Sequence, residues 1–354
     1  MMRKFIVGLF LLISSGYVYA QTSTCTQTLR LARSTYEQGR FHEIPALLEV
    51  CLVSGFTKQE KVEALRILTL AYLYQEEPEQ ADEAMLQLLS TDHFFEINEN
   101  VDPAEFTALY KTFRTKPLFG IGVRFGANYT LPAPKTNYYV GSTAGGAGEY
   151  SPLTNIQFGL SFEKHLFDKN PKSKWTAAPE IMFMSHSFSY ANESLTTSDE
   201  TGLPYSFTEG TFDQSRFDLN LLVQYKLKES AINPYITFGG AVSLLTKAEL
   251  QVETQFPEEG SVVTGPAVDI KDTFNPLDYA IIAGGGIKYK FGEIYLSADI
   301  RYKYGLTNLI DKSARSNPEA TFDYGFVSND LTQSSIIANI GFVWPYFKPK
   351  KLTR

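Results

Sequence analysis

The segment EIYLSADIRYKYG, residues 293–305, alternates without interruption. Ile294, Leu296, Ala298, Ile300, Tyr302 and Tyr304 share one parity; Glu293, Tyr295, Ser297, Asp299, Arg301 and Lys303 share the other. Successive side chains of a strand point to opposite faces, so this strand has one apolar face and one charged face. A soluble protein buries the first and wets the second, whereas a closed barrel in lipid does the reverse.

Eight segments of this texture follow Leu118: 118–128, 155–166, 174–190, 211–228, 234–250, 278–291, 293–305 and 333–344. Their apolar faces are explicit, as in Phe119, Ile121, Val123 and Phe125, or Phe217, Leu219, Leu221, Val223, Tyr225 and Leu227. The connections run long (129–154), short (167–173), long (191–210), short (229–233), long (251–277), short (Gly292) and long (306–332). Strict alternation of long loops and tight turns is the pattern of an outer-membrane barrel, and an even count closes without free edges. An interior of eight strands is filled by side chains, which argues against a pore.

The opposite parity carries Arg124, Glu163, Glu180, Arg216, Asp218, Lys288, Asp299 and Arg301, with both signs mixed. Inside a narrow barrel these form a lumenal network of ion pairs. Trp175, Tyr225, Tyr289, Tyr302, Tyr304 and Trp344 gather toward strand ends, as an interfacial belt requires. The alternative is a soluble lipocalin-like carrier with the apolar face inside, but the Gly-x-Trp opening of that family is missing. With SSIIANIGFVWPYF closing the last strand in aromatics, the span 117–347 resembles the small OmpA-like and PorT-like outer-membrane barrels. That resemblance implies an eight-stranded antiparallel transmembrane barrel inserted by the barrel-assembly machinery. It does not fix an activity.

Ahead of the barrel, Arg3 and Lys4 precede the apolar run Phe5–Ile13, and Val18-Tyr19-Ala20 offers a cleavage site. Residues 1–20 therefore read as a secretory signal peptide. Cys25 has no convincing lipoprotein box before it. Residues 21–116 read as an all-α domain, giving an α+β chain of two domains. Leu29, Ala32 and Tyr36 have helical spacing up to Gly39, followed by Ile44, Leu47, Leu48 and Cys51. Thr57 and Glu60 form a capping-box pattern, Glu76-Glu77-Pro78 breaks the next helix, and Pro103–Phe113 closes the set. The spacing of Ala32, Tyr36, Gly39 and Phe41, then Leu68, Ala71, Tyr72, Ala81 and Ala84, resembles about two tetratricopeptide helix pairs, units that stack on neighbours. A generic helical bundle is the other reading.

Cys25 and Cys51 are the only cysteines. If the first helix runs to Gly39 and the second runs back, both lie at one end of a hairpin. A disulfide there contributes roughly 3.5 kcal/mol in the chain-entropy model. A buried free thiol at Cys51 is the alternative.

Catalytic signals are weak. His165 and His186 are placed inside the barrel by parity, and Ser185 and Ser187, next to His186, point away from it. No nucleophile-elbow motif accompanies them. Asp199-Glu200, Glu258-Glu259, Asp269 and Asp272 form no calcium-loop pattern, and GSTAGGAGEY (141–150) has no strand-into-helix context for phosphate. No cofactor or metal is expected. A net charge of −7 argues against nucleic acid. The tail 348–354 reads as a basic segment in water beneath the barrel. A linker of some four residues, about 14 Å at most, then holds the helical domain under the barrel mouth. The expected role is a non-enzymatic outer-membrane anchor with its helical domain in the periplasm. Its expected partners are envelope proteins, outer-membrane lipid and other barrels, in a secretion or barrel-assembly complex. A barrel-resident lipid enzyme and a surface adhesin or receptor are the alternatives.

Overall fold

The computed structural model describes residues 22–138, 148–166, 173–193, 207–228, 232–256, 260–324 and 326–352. Residues 1–20, read above as a signal peptide, Asp199-Glu200, Glu258-Glu259 and residues 141–147 of the Gly-rich run lie outside them. The chain divides into two units, Met1–Pro117 with Phe347–Arg354, and Leu118–Tyr346.

The first unit is helical: α1 (Thr22–Glu37), α2 (Ile44–Val53), α3 (Lys58–Tyr74), α4 (Pro78–Thr91) and α5 (Ala104–Tyr110). Leu29, Ala32, Ile44, Leu48, Leu65, Met85, Leu88 and Phe106 form its buried core. Gly39, at φ 74°, lets the chain leave α1 in a left-handed turn that a side chain would oppose. Thr57 and Glu60 cap α3 reciprocally. Glu60 also accepts from the Thr26 hydroxyl at 2.6 Å, and this bond, then those from Thr57, lower its carboxyl below the ordinary value. Cys25 and Cys51 are joined in a disulfide that ties α1 to α2.

The tail takes part in this unit rather than running free in water. Arg114 N–H donates to the Lys350 carbonyl at 2.9 Å, and Leu352 N–H to that of Thr112 at 2.8 Å. Phe347 stacks on His93 with centroids 5.2 Å apart and meets Phe94 edge-on at 5.0 Å. Lys351 pairs with Asp82.

The second unit is one antiparallel sheet of twelve strands: β1 (Phe119–Thr136), β2 (Glu149–Pro152), β3 (Thr154–His165), β4 (Trp175–Ala177), β5 (Glu180–Glu193), β6 (Phe207–Lys226), β7 (Ile232–Phe256), β8 (Ser261–Thr264), β9 (Val268–Asp269), β10 (Leu277–Phe291), β11 (Ile294–Gly305) and β12 (Asp330–Tyr346). The count of eight segments changes for two reasons. Pro179, with no N–H to give, separates β4 from β5. The loops add β2, β8 and β9. The eight long strands pair in a closed cycle, β1–β3–β5–β6–β7–β10–β11–β12 and back to β1. Toward the long loops they outrun the expected segments, β7 reaching Phe256 and β1 Thr136.

Cys51→Ala should lower the stability of the helical unit by roughly 3.5 kcal/mol in denaturant unfolding followed by circular dichroism. Phe347→Ala should cost about 1–2 kcal/mol in the same measurement, and no change would mean the tail is not part of that unit. Because the Glu60 carboxyl is stabilised in its charged form, its contribution is complete above the ordinary carboxylate range and lost as pH falls below it. Glu60→Gln should flatten that acid limb of the stability profile.

Candidate functional site: the ion-paired interior and its outer cap

Most inward positions of the ring carry polar side chains, with two small apolar clusters among them, Leu222, Ala241, Ala280 and Ile282, and Met182, Met184 and Ile337. Arg124 is fully buried and lies 2.6 Å from Asp299, 2.8 Å from Glu180 and 3.7 Å from Glu163. Arg301 reaches the same two central carboxylates, at 2.6 Å from Glu180 and 2.8 Å from Asp299. Lys288 lies 2.7 Å from Glu163. Six of the sequence-assigned charges thus form one cluster drawn from β1, β3, β5, β10 and β11. Asp218 pairs apart from it, 2.5 Å from Lys303. Arg216 makes no ion pair within 4 Å among the described residues and donates to Gln214 at 3.0 and 3.2 Å.

Several members of this interior were not singled out from the sequence. Lys303 shares the parity of Asp299 and Arg301, and that signal was there to use. Tyr235 and Asn339, which donate to Asp299 at 2.9 and 3.0 Å, carry no charge to mark them. Gly284 and Gly286 are inward too. A Cβ at Gly284 would come within 2.3 Å of the Ile300 carbonyl, and one at Gly286 within 2.6 Å of the Asp299 Cβ. The glycine run on β10 makes the room that Arg301 and Asp299 fill.

Outward positions are apolar over much of the wall: Ile121 is 53% exposed, Ile156 69%, Leu160 58% and Ile300 66%. On β1 the outward band runs from Phe119 to Tyr129. At ~3.4 Å per residue and a tilt of about 40° it is about 26 Å tall, the height of a bilayer's apolar layer. Trp175 and Tyr225 meet at 4.7 Å, and with Tyr289 and Trp344 they lie near the short-turn end. Tyr302 and Tyr304 lie toward the long loops, where β11 ends. Phe119 stacks on Tyr346 at 4.9 Å and on Phe162 at 5.6 Å at the short-turn end of the same wall.

Toward the long loops the pattern reverses. The β6–β7 register slips between Ser215 and Arg216, skipping Thr246, so β7 changes parity there. Beyond the slip, Ala248, Leu250 and Val252 are buried while Lys247, Glu249 and Gln251 face out. Phe188, Tyr190, Phe212, Val268, Ile270, Phe274, Leu309, Ile310 and Leu331 join them in an apolar core, a cap on that end of the ring. Helix α6 (Pro318–Tyr324) contributes Ala320 to it. Arg315 fixes the cap's edge, 3.7 Å over the Tyr138 ring and 2.7 Å from Asp330.

His186 is fully buried below this cap, its Nδ1 3.1 Å from the Thr130 hydroxyl. Ser185 and Ser187 lie on the outward face, so neither hydroxyl stands beside its ring. His165 lies 3.1 Å from the Thr176 hydroxyl. Among the described residues, no group of three His, Cys, Asp or Glu side chains is arranged to hold a metal ion.

A closed antiparallel ring, greasy outside and ion-paired inside, defines a membrane β-barrel class of protein. Residues 112–311 match the family described as outer membrane protein beta-barrel domain, and the chain belongs to that family. Its place is therefore the outer membrane. No curated protein matches the chain. Among solved structures it is similar to the outer membrane protein OprG from Pseudomonas aeruginosa, at 12% identity over 66% of this chain and 98% of that one, TM-score 0.32. Ail, the attachment invasion locus protein of Yersinia pestis, gives 8% identity over 65% and 99%, TM-score 0.25. The outer membrane protease OmpT from Escherichia coli gives 8% over 64% and 96%, TM-score 0.29.

Asp299 is the most shared acceptor of the interior. Asp299→Leu should leave two buried guanidiniums short of charge and cost about 3–5 kcal/mol in refolding titrations into lipid vesicles. Arg216→Met, outside the ion pairs, should cost less than half as much.

Proposed function

We propose that the chain is a non-enzymatic, eight-stranded transmembrane barrel that anchors a periplasmic helical interaction module beside a partner in the envelope. The observation that carries the reading is the junction of two differently built units in one chain. Ion pairs across the interior and an apolar cluster at the long-loop end, among the described residues, support an anchor rather than a transport channel. Buried His186 with its neighbouring serines on the other face supports the non-enzymatic reading. The helical unit supplies the binding element. Its α1–α2 and α3–α4 hairpins resemble tetratricopeptide pairs, and such stacks present faces to peptides and proteins. Val50 and Val53 on α2, 75% and 83% exposed, are apolar groups available to a partner.

Deletion of residues 24–115 should leave a barrel that still inserts and shows heat-modifiable migration but loses its crosslinked envelope partners. A naked barrel that retains every partner contradicts the anchor role. The folded outer cap supports a second reading, a surface receptor or adhesin. In that case trimming the loop 306–329, and not the helical deletion, should abolish binding.

A further inference from the structure

Outward side chains change character abruptly on neighbouring strands. Phe158, Phe183, Phe217 and Leu244 lie in register across β3, β5, β6 and β7. Their rings touch in sequence, Phe158 to Phe183 at 5.2 Å and Phe183 to Phe217 at 5.4 Å. Two residues nearer the long loops, the outward row is Ser185, Ser215 and Lys247, and the next is Ser187, Asp213 and Glu249.

At this step β3 and β5 part, their last ladder pair being Gln157 with Met184, and the β6–β7 register slips beside them. Thr246 has no partner across the ladder, and its hydroxyl turns back to the Ser215 carbonyl at 2.9 Å. Here lies a recess of about 350 Å³ bounded by Asn155, Ile156, Ser185, Ser187, Asp213, Ser215 and Lys247. On its floor the Ser187 hydroxyl lies 2.5 Å from Asp213 and 2.8 Å from the Asn155 side-chain oxygen. Lys247, held 2.7 Å from Glu249, keeps its ammonium exposed.

We infer that this recess seats the headgroup of one phosphorylated glycolipid, with its acyl chains crossing the Phe158–Phe183–Phe217 row. A polar hollow directly beside an apolar wall lies where a bilayer places its headgroups. Lys247 supplies a charge-assisted bond to a phosphate. Ser185 and Ser215 donate and accept, and Asp213 and Asn155 accept, which is the set that sugar hydroxyls need. A choline headgroup has no hydrogen-bonding hydrogen to offer them. The inference rests on the membrane-barrel reading above and names the lipid for one part of its wall.

The test reconstitutes the full chain in phosphatidylcholine nanodiscs doped with lipid A and weighs the lipid that stays bound by native mass spectrometry. Lys247→Ala removes the cation, Ser215→Trp fills the recess, and Lys312→Ala, exposed in the outer loops, is the control. Heat-modifiable migration checks that each variant is folded. Wild type and Lys312→Ala should retain lipid A, with retention about tenfold lower in the other two, the effect of one charge-assisted bond. Equal retention in all four overturns the seat. Preferential retention of phosphatidylethanolamine from discs containing both lipids overturns the glycolipid assignment. Failure of the wild-type chain to insert at all overturns the membrane reading, and the seat falls with it.

Discussion

The ring depends on two guanidiniums sharing two carboxylates. Arg124 and Arg301 each reach both Glu180 and Asp299, so charges from β1, β5 and β11 neutralise one another across the interior. Burying ions is expensive, and it is sustained only where each charge finds several partners. Once the interior is filled this way, the apolar residues of the same strands have one direction left to point, because the strand period is two. The greasy exterior follows from the ionic interior.

The same logic explains where the inversion stops. On β7 one skipped residue, Thr246, reverses the parity, and from there on the apolar side chains face inward as in a soluble protein. β5 and β6 reach the same result without a slip, by exchanging polar for apolar side chains at Phe188 and Phe212. On β7 the boundary between the two regimes falls at Thr246. Above it the long loops contribute Ile270, Phe274, Leu309 and Ile310 to a core of their own. A polar recess sits on this boundary, at the place where the ladder is interrupted.

Much of this is legible in the sequence. Alternation located the long strands, the capping pattern at Thr57 located the start of α3, and parity put the charges inside. What escaped has identifiable causes. The slip at Ser215/Arg216 is one skipped backbone pairing with no residue type to announce it, so β7 reads as ending at 250 when it continues to Phe256. Beyond that point the apolar and polar faces trade places, and the contrast that marks a membrane strand disappears. Tyr235 and Asn339 are neutral partners of a charged centre, visible only once the strands are closed. The tail carries basic residues suited to water, but its backbone pairs with Thr112–Arg114, a pairing that composition does not encode.

The central claim, apolar side chains outward into hydrocarbon, has a direct optical test. Trp175 and Trp344 are the only tryptophans, and both belong to the outward wall. The chain folded into vesicles of brominated phosphatidylcholine should lose most of its tryptophan fluorescence and respond little to aqueous iodide. Emission that brominated lipid leaves untouched, from a folded monomer that needs no detergent, would contradict the account.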